Sequence, residues 1–140
     1  MKTEEVNLAE LNLRHEKLRA RSPAAEKKLL VSLGETGQQS PVIVVRGQEG
    51  RYVVIDGHKR VRALRKLKAD IVKAIVWDVG EEDALTAHYR MSRQGGLSAV
   101  EEGWLVAELH RIGKWNLGMI AERLLKSRSW VSRRLALAEE

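Results

Sequence analysis

The apolar positions of this chain follow one rhythm up to about residue 80 and another beyond it. In the first part they gather in short β-branched runs. Residues 42–45 (Val-Ile-Val-Val), 52–55 (Tyr-Val-Val-Ile) and 71–77 each predict one strand, the first two of them buried. Residues 5–13 alternate weakly and predict a short first strand or an extended arm, and residues 14–21 read as a polar, mostly basic connector. Ser22-Pro23 is a helix start, with serine as N-cap and proline at the first helical position. Leu29, Leu30 and Leu33 supply that helix's apolar stripe, and Gly34 and Gly37 end it. Gln38-Gln39-Ser40-Pro41 is a turn, and Gly47-Gln48-Glu49-Gly50 is a hairpin turn into the strand at Tyr52.

From residue 81 the β-branched runs give way to helical spacing. Residues 81–93 predict a helix stopped by Gly95-Gly96. Ser98-Ala99-Val100-Glu101 is a capping box, in which the serine and the glutamate each satisfy one orphan N–H. That helix runs to Ile112, with Val100, Trp104, Ala107 and Leu109 apolar, and Gly113 ends it. Asn116 caps a short helix over 117–124, with Ile120, Ala121 and Leu124 inward. Ser127 caps the next, over 128–138, with Val131, Leu135 and Ala138 inward. The expected organisation is a mixed α/β domain over residues 1–80 and a helical domain over 81–140, with the boundary near Gly80 or at the Gly95-Gly96 hinge.

Residues 51–68 organise the first domain. The strand ends at Asp56-Gly57, and a helix follows at once with Val61, Leu64 and Leu67 at helical spacing and Ala63 beside them. Lys59, Arg60, Arg62, Arg65, Lys66 and Lys68 decorate it, with no acid among them. The first N–H groups of a helix lack intrahelical partners and sit at the positive end of its dipole. Cations at His58, Lys59 and Arg60 are poorly placed there unless a negative ligand offsets the repulsion, and Gly57 lets such a ligand approach the backbone. The same pattern suits a solvated basic face on an ordinary amphipathic helix, and both readings stand open.

Charge adds direction. The 140 residues hold 25 Lys+Arg against 19 Asp+Glu, a formal net charge of +6, which favours a polyanion and nucleic acid first. There is no cysteine, so disulfides and thiolate metal sites are excluded. His15, His58, His88 and His110 lie scattered without ligand spacing, so no metal site is expected. No apolar run reaches membrane-spanning length and no secretory leader is visible, so a cytoplasmic protein with no membrane partner is expected.

The C-terminal pair of helices carries the second chemistry. Two short helices joined by Leu125-Lys126-Ser127 match a helix-turn-helix at about 117–138, with Ala121 as the small residue where the helices cross. Arg128, Ser129, Ser132, Arg133 and Arg134 lie on the outer face of the second helix, and serine hydroxyls and arginine forks bind phosphate or the guanine edge. Leu125 stands where such turns often carry glycine, so the turn differs slightly or Leu125 adds to the core. A structural hairpin with a solvated basic face is the competing reading.

Four segments in order resemble the N-terminal part of ParB-type partition proteins. Gln38-Gln39-Ser40-Pro41-Val42-Ile43-Val44-Val45-Arg46 resembles the family's first motif. Gly57-His58-Lys59-Arg60-Val61-Arg62-Ala63 resembles its Gly-Glu-Arg-Arg-x-Arg-Ala. Leu97-Ser98-Ala99-Val100-Glu101-Glu102 resembles a helix start, and Ile120 through Ser132 resembles its helix-turn-helix. The resemblance implies an α+β fold, in which a ParB/sulfiredoxin-like mixed sheet domain precedes an all-α helix-turn-helix domain. It implies a nucleoid-associated homodimer that binds double-stranded DNA in partition or transcription regulation, with a partition ATPase as partner. It also implies a pocket for CTP, with or without Mg²⁺, as the sole cofactor. Carried over, Gly57, Lys59, Arg60 and Arg62 are phosphate contacts, with His58 in the same cradle and Ser40 beside the nucleotide. Ser127, Arg128, Ser129, Trp130, Ser132, Arg133 and Arg134 are the DNA-facing residues.

Two departures bear on activity. His58 replaces the family's glutamate, and Arg90-Met91-Ser92-Arg93-Gln94 stands where the family has Glu-Asn-x-Gln-Arg. Arginine and methionine cannot hold Mg²⁺ or orient a water, so CTP hydrolysis is expected to be weak or absent and no catalytic residue is assigned. Arg90 or Arg93 could still neutralise phosphate charge. Two enzyme readings compete. A sulfiredoxin-like or serine-kinase-like phosphotransferase would draw its base from Asp56, Glu35 or Glu26. A nuclease would use Glu81-Glu82-Asp83, which also reads as a helix-start acid cluster.

Overall fold

The computed structural model describes residues 3–92 and 96–139. Contacts divide the chain into two compact units, Met1–Lys17 with Arg21–Ala84 and Leu18–Ala20 with Leu85–Glu140.

The described residues of the first unit form a five-stranded sheet in the order β1-β5-β3-β4-β2. The strands are β1 (Thr3–Asn7), β2 (Leu11–Asn12), β3 (Val42–Arg46), β4 (Tyr52–Asp56) and β5 (Ile71–Trp77). β3 and β4 form the antiparallel hairpin, and β3 runs parallel to β5. β1 closes one side antiparallel to β5, and the two residues of β2 close the other, parallel to β4. The weak alternation over residues 5–13 is thus two strands separated by a 3-10 turn at Leu8–Glu10. Helices α1 (Pro23–Thr36) and α2 (His58–Lys66) bury Leu33, Val61, Ala63 and Leu64 in one core with Val42, Val44, Val54 and Val72.

Ser22 caps α1 by accepting from the Ala25 N–H at 3.3 Å, with Pro23 in the first turn. Gly34 does not end α1; the helix continues to Thr36 and stops at Gly37, whose φ of 75° is the left-handed turn. Leu67 lies past the end of α2 and is exposed, so the buried stripe there is Val61, Ala63 and Leu64. The connector over 14–21 is less polar in its setting than in its composition, because His15 is 1% exposed.

Helix α3 (Glu81–Ser92) begins in the first unit and continues into the second, which holds α4 (Ala99–Ile112), α5 (Leu117–Leu124) and α6 (Arg128–Ala138). The capping box at Ser98 forms in both directions, at 3.2 and 2.9 Å, and the other Glu101 oxygen accepts from the Ala20 N–H at 2.6 Å. Leu105, Val106 and Leu109 of α4 form the core with Ile120, Leu124 and Val131. Val100, expected among the apolar positions, is exposed. The phase of α4 is set at Gly103, where the Arg134 carbonyl of α6 approaches so closely that a Cβ would stand 2.4 Å from it. Among the described residues no helix is long and apolar enough to cross a membrane.

Candidate functional site

The strand–glycine–helix element is built as its sequence demands. Gly57 caps α2 with φ 107°, and a Cβ there would meet Val42 Cγ1 at 2.5 Å. The glycine therefore lets the β4–α2 turn lie against the start of β3. Arg60 crosses the same junction, its Nη1 donating to the Pro41 carbonyl at 3.4 Å. Gln38 pins the preceding turn, donating to the Ser40 and Lys73 carbonyls at 2.9 Å and accepting from the Lys73 N–H at 2.8 Å. The fold thus brings Pro41 to Arg60 and Val42 to Gly57, and the preceding Ser40 is exposed.

The remaining residues of the expected cradle diverge. His58 turns inward, and its Nε2 is buried without a hydrogen-bond partner among the described residues. Burial, reinforced by nearby His15 and opposed by Asp56, lowers its pKa to about 4, so the ring is neutral at pH 7 and brings no charge to an anion. Arg62 is engaged with carboxylates: its Nε donates to Glu26 at 2.9 Å and its Nη1 to Glu16 at 3.1 Å. Arg21 grips Glu26 as well, with two bonds of 3.0 Å. The Arg21 bonds first and the Arg62 bond second hold the Glu26 carboxyl at about 2. Arg65 donates to the Leu8 and Leu11 carbonyls at 3.3 Å. Lys59 is exposed and lines an open groove of about 520 Å³ between α1 and α2, together with Arg21, Pro23, Glu26, Lys27, Leu30, Ala63 and Lys66. Arg21 and Lys27 did not stand out in the sequence, and Lys66 did so only as one of six basic residues on α2. The one available signal was Lys59, Ala63 and Lys66 recurring on one face of α2.

The helical pair forms as spaced. Asn116 accepts from the Met119 N–H at 2.8 Å and Ser127 from the Trp130 N–H at 3.1 Å, capping α5 and α6. Between them Leu125 adopts φ 59°, while the Lys126 N–H reaches the Ala121 carbonyl at 2.9 Å and the Leu125 N–H that of Glu122 at 3.3 Å. This is a Schellman closure with leucine where glycine is usual. Leu125 is 77% exposed, so it adds nothing to the core.

On α6, Ser127, Arg128, Ser129, Ser132 and Arg133 are exposed. Arg128 and Arg133 make no ion pair among the described residues. Arg134 departs from the outer face expected of it. It is half-buried, its Nε donates to Glu102 of α4 at 3.1 Å, and its guanidinium stacks on Trp130 at 4.8 Å. Glu102 also accepts from the Tyr89 hydroxyl at 2.6 Å, and burial first and Glu102 second raise that phenol's pKa. Trp130 is half-buried, and its ring carries Lys126 at 5.2 Å as a second cation.

Arg90 donates to the Arg123 carbonyl at the end of α5, at 2.6 Å. Arg93 and Gln94 lie outside the described residues. Glu81 is held by Arg14 and by His15, the latter at 3.0 Å. Its burial raises the carboxyl pKa, but the bonds from His15 and Arg14 outweigh that and lower it. Among the described residues no three His, Cys, Asp or Glu side chains are grouped to hold a metal ion.

Residues 1–91 match the ParB N-terminal domain family. The nucleoid occlusion protein of Shouchella clausii (strain KSM-K16) is 32% identical over 96 residues, 68% of this chain and 34% of that protein. That of Bacillus subtilis (strain 168) is 29% identical over 113 residues, 79% of this chain and 40% of that protein. The chain thus spans little more than a third of the length of these relatives. The C-terminally truncated chromosome-partitioning protein ParB from Caulobacter crescentus, complexed with CTP-gamma-S, has a TM-score of 0.60 at 22% identity, over 96% of this chain and 77% of its own. The same ParB complexed to the centromeric parS site gives 0.53 at 20% identity, over 94% and 70%. Sulfiredoxin from Arabidopsis thaliana gives 0.52 at 21% identity, over 65% of this chain and 98% of its own. At such identities these structures speak for the fold alone: a mixed sheet unit of ParB/sulfiredoxin type followed by helices. The chain belongs to the ParB N-terminal domain family.

Proposed function

We propose that this member of the ParB N-terminal domain family binds double-stranded DNA through α6 and serves in partition, nucleoid occlusion or transcription regulation. The carrying observation is the first two turns of α6. Ser127, Arg128, Ser129, Ser132 and Arg133 stand exposed on a capped helix whose opposite side is fixed by Val131 in the core. A rigid helix bearing forked donors on one side is what groove readout requires. Arg134 belongs to the support of that helix, since Glu102 neutralises it. The two ligands of the Caulobacter ParB, a CTP analogue and a centromeric DNA site, define the ligands proposed here. CTP, with or without Mg²⁺, a homodimeric assembly, a partition ATPase and a place on the nucleoid belong to the same reading.

The test is an electrophoretic mobility assay on duplex fragments selected from random DNA. Arg128→Ala combined with Arg133→Ala is expected to abolish the shift while the circular dichroism spectrum is unchanged. A double variant that shifts DNA as the wild type does would remove α6 from the interface. Calorimetric titration with CTP, ATP and GTP tests the nucleotide half, and CTP is expected to bind in preference.

A further inference from the structure

Gly34 has no task within the chain. It lies inside α1, exposed, and a Cβ there would meet only Leu67 Cδ2, at 4.0 Å, an ordinary contact. Alanine is the better helix former, so neither the helix nor its packing on α2 calls for glycine. What glycine offers is bare backbone that another chain can approach, and its neighbours fit that use. Val31, one turn earlier on the same side of α1, is 53% exposed, and Leu67 is 43% exposed. Leu30 and Ala63 continue the apolar strip into the groove between the helices. The turn that closes α2 holds Leu67 at the surface: Lys68 takes φ 59°, the Lys68 N–H reaches the Arg65 carbonyl and the Ala69 N–H that of Leu64, both at 3.0 Å. Lysines border the strip. Lys27, Lys28, Lys66 and Lys68 are exposed and make no ion pair among the described residues. Glu35 is the single acid over residues 27–36, and residues 59–69 hold none. All of these residues belong to the first unit.

We infer that Val31, Gly34 and Leu67 form a docking surface for an acidic amphipathic helix of a partner protein. That helix crosses α1 at Gly34, seats its apolar stripe on Leu30, Val31 and Leu67, and pairs its carboxylates with Lys27, Lys28, Lys66 and Lys68. Cations on both borders of an apolar strip are the complement of a helix with carboxylates beside its apolar stripe. A nucleic-acid strand would use the lysines and leave Val31 and Leu67 uncovered. The surface lies at the opposite end of α2 from Gly57, about 15 Å away by the rise of the helix. It involves neither the β4–α2 turn nor α6, so the inference stands apart from the proposed DNA and nucleotide binding.

The experiment is fluorescence anisotropy, with the whole chain titrated onto a labelled synthetic helix. Leucines repeat in that peptide at i, i+4 and i+7, and its other positions are glutamate and alanine. Val31→Asn/Leu67→Asn is compared with Val79→Asn/Val100→Asn, which makes the same change at exposed apolar positions elsewhere. The wild type is expected to bind the peptide, the surface variant to bind it at least about tenfold more weakly, and the control to stay within about threefold. Gly34→Ala is expected to raise the urea midpoint and to weaken the peptide, a combination that a glycine needed by the fold would not give. A wild type that does not bind, or a surface variant that binds as the wild type does, overturns the inference. So does equal affinity for a peptide with alanine in place of the leucines, or displacement of the leucine peptide by duplex DNA, since either makes the lysines a general polyanion surface. Dimerisation of the wild type in sedimentation that the surface variant loses would assign the strip to a second copy and overturn the partner helix.

Discussion

His58 illustrates how one residue's setting changes its chemistry. At the first position of a basic helix the sequence offers it as a cation, yet the ring is folded inward and neutral. Its folded pKa of about 4 lies below the ordinary value of 6.5. Between those values the unfolded chain binds more protons, so stability rises with pH through that window and levels off above it. Acidification from 6.5 toward 4 is expected to cost about 2 kcal/mol after discounting for partial exposure of the ring. Denaturant unfolding followed across that range checks this, and His58→Asn is expected to flatten the curve there. Glu26 acts in a different window: its carboxyl, held at about 2, gives stability that is lost only as pH falls below 4.5. A wild-type curve that is flat between 4 and 6.5 would mean the ring reaches solvent.

At the scale of elements, the contact between α4 and α6 sets where the outward side of α6 lies. Gly103→Ala would push a methyl against the Arg134 carbonyl, a backbone atom that cannot rotate away. The expected cost is about 2–3 kcal/mol. Hydrogen exchange should show faster opening of α6 amides, with those of the sheet unchanged. Protection of α6 equal to wild type would show that the helices can separate without loss. Four of the helices that the spacing predicts from residue 22 onward start on a local signal: Ser22, Ser98, Asn116 and Ser127 each accept from an N–H three residues on. What was not legible is what distant residues do to one another. Glu26 and Glu16 occupy Arg62 from 36 and 46 positions away, and Glu102 occupies Arg134 from 32. The α1–α2 groove likewise exists only once two separated helices pack. A charge on a helix surface is visible in a sequence; whether a partner has already claimed it is not.

For the molecule as a whole, the net charge of +6 makes long-range attraction to a polyanion its strongest undirected force. Affinity for duplex DNA is expected to fall steeply as salt rises, and Arg128→Ala alone, which leaves Arg133 in place, should flatten the log–log slope by about 1. Measuring binding at several salt concentrations checks this; a slope unaltered by the substitution would place the phosphate contacts elsewhere.

The margins of the sheet carry a consequence of a different kind. On one side β2 offers only two residues, and on the other β1 presents Glu4 and Glu5, both exposed. A stray strand from a neighbour would find too short a template at one border and a pair of negative charges at the other. Edge-to-edge pairing of this sheet with that of a second copy is therefore disfavoured at both borders.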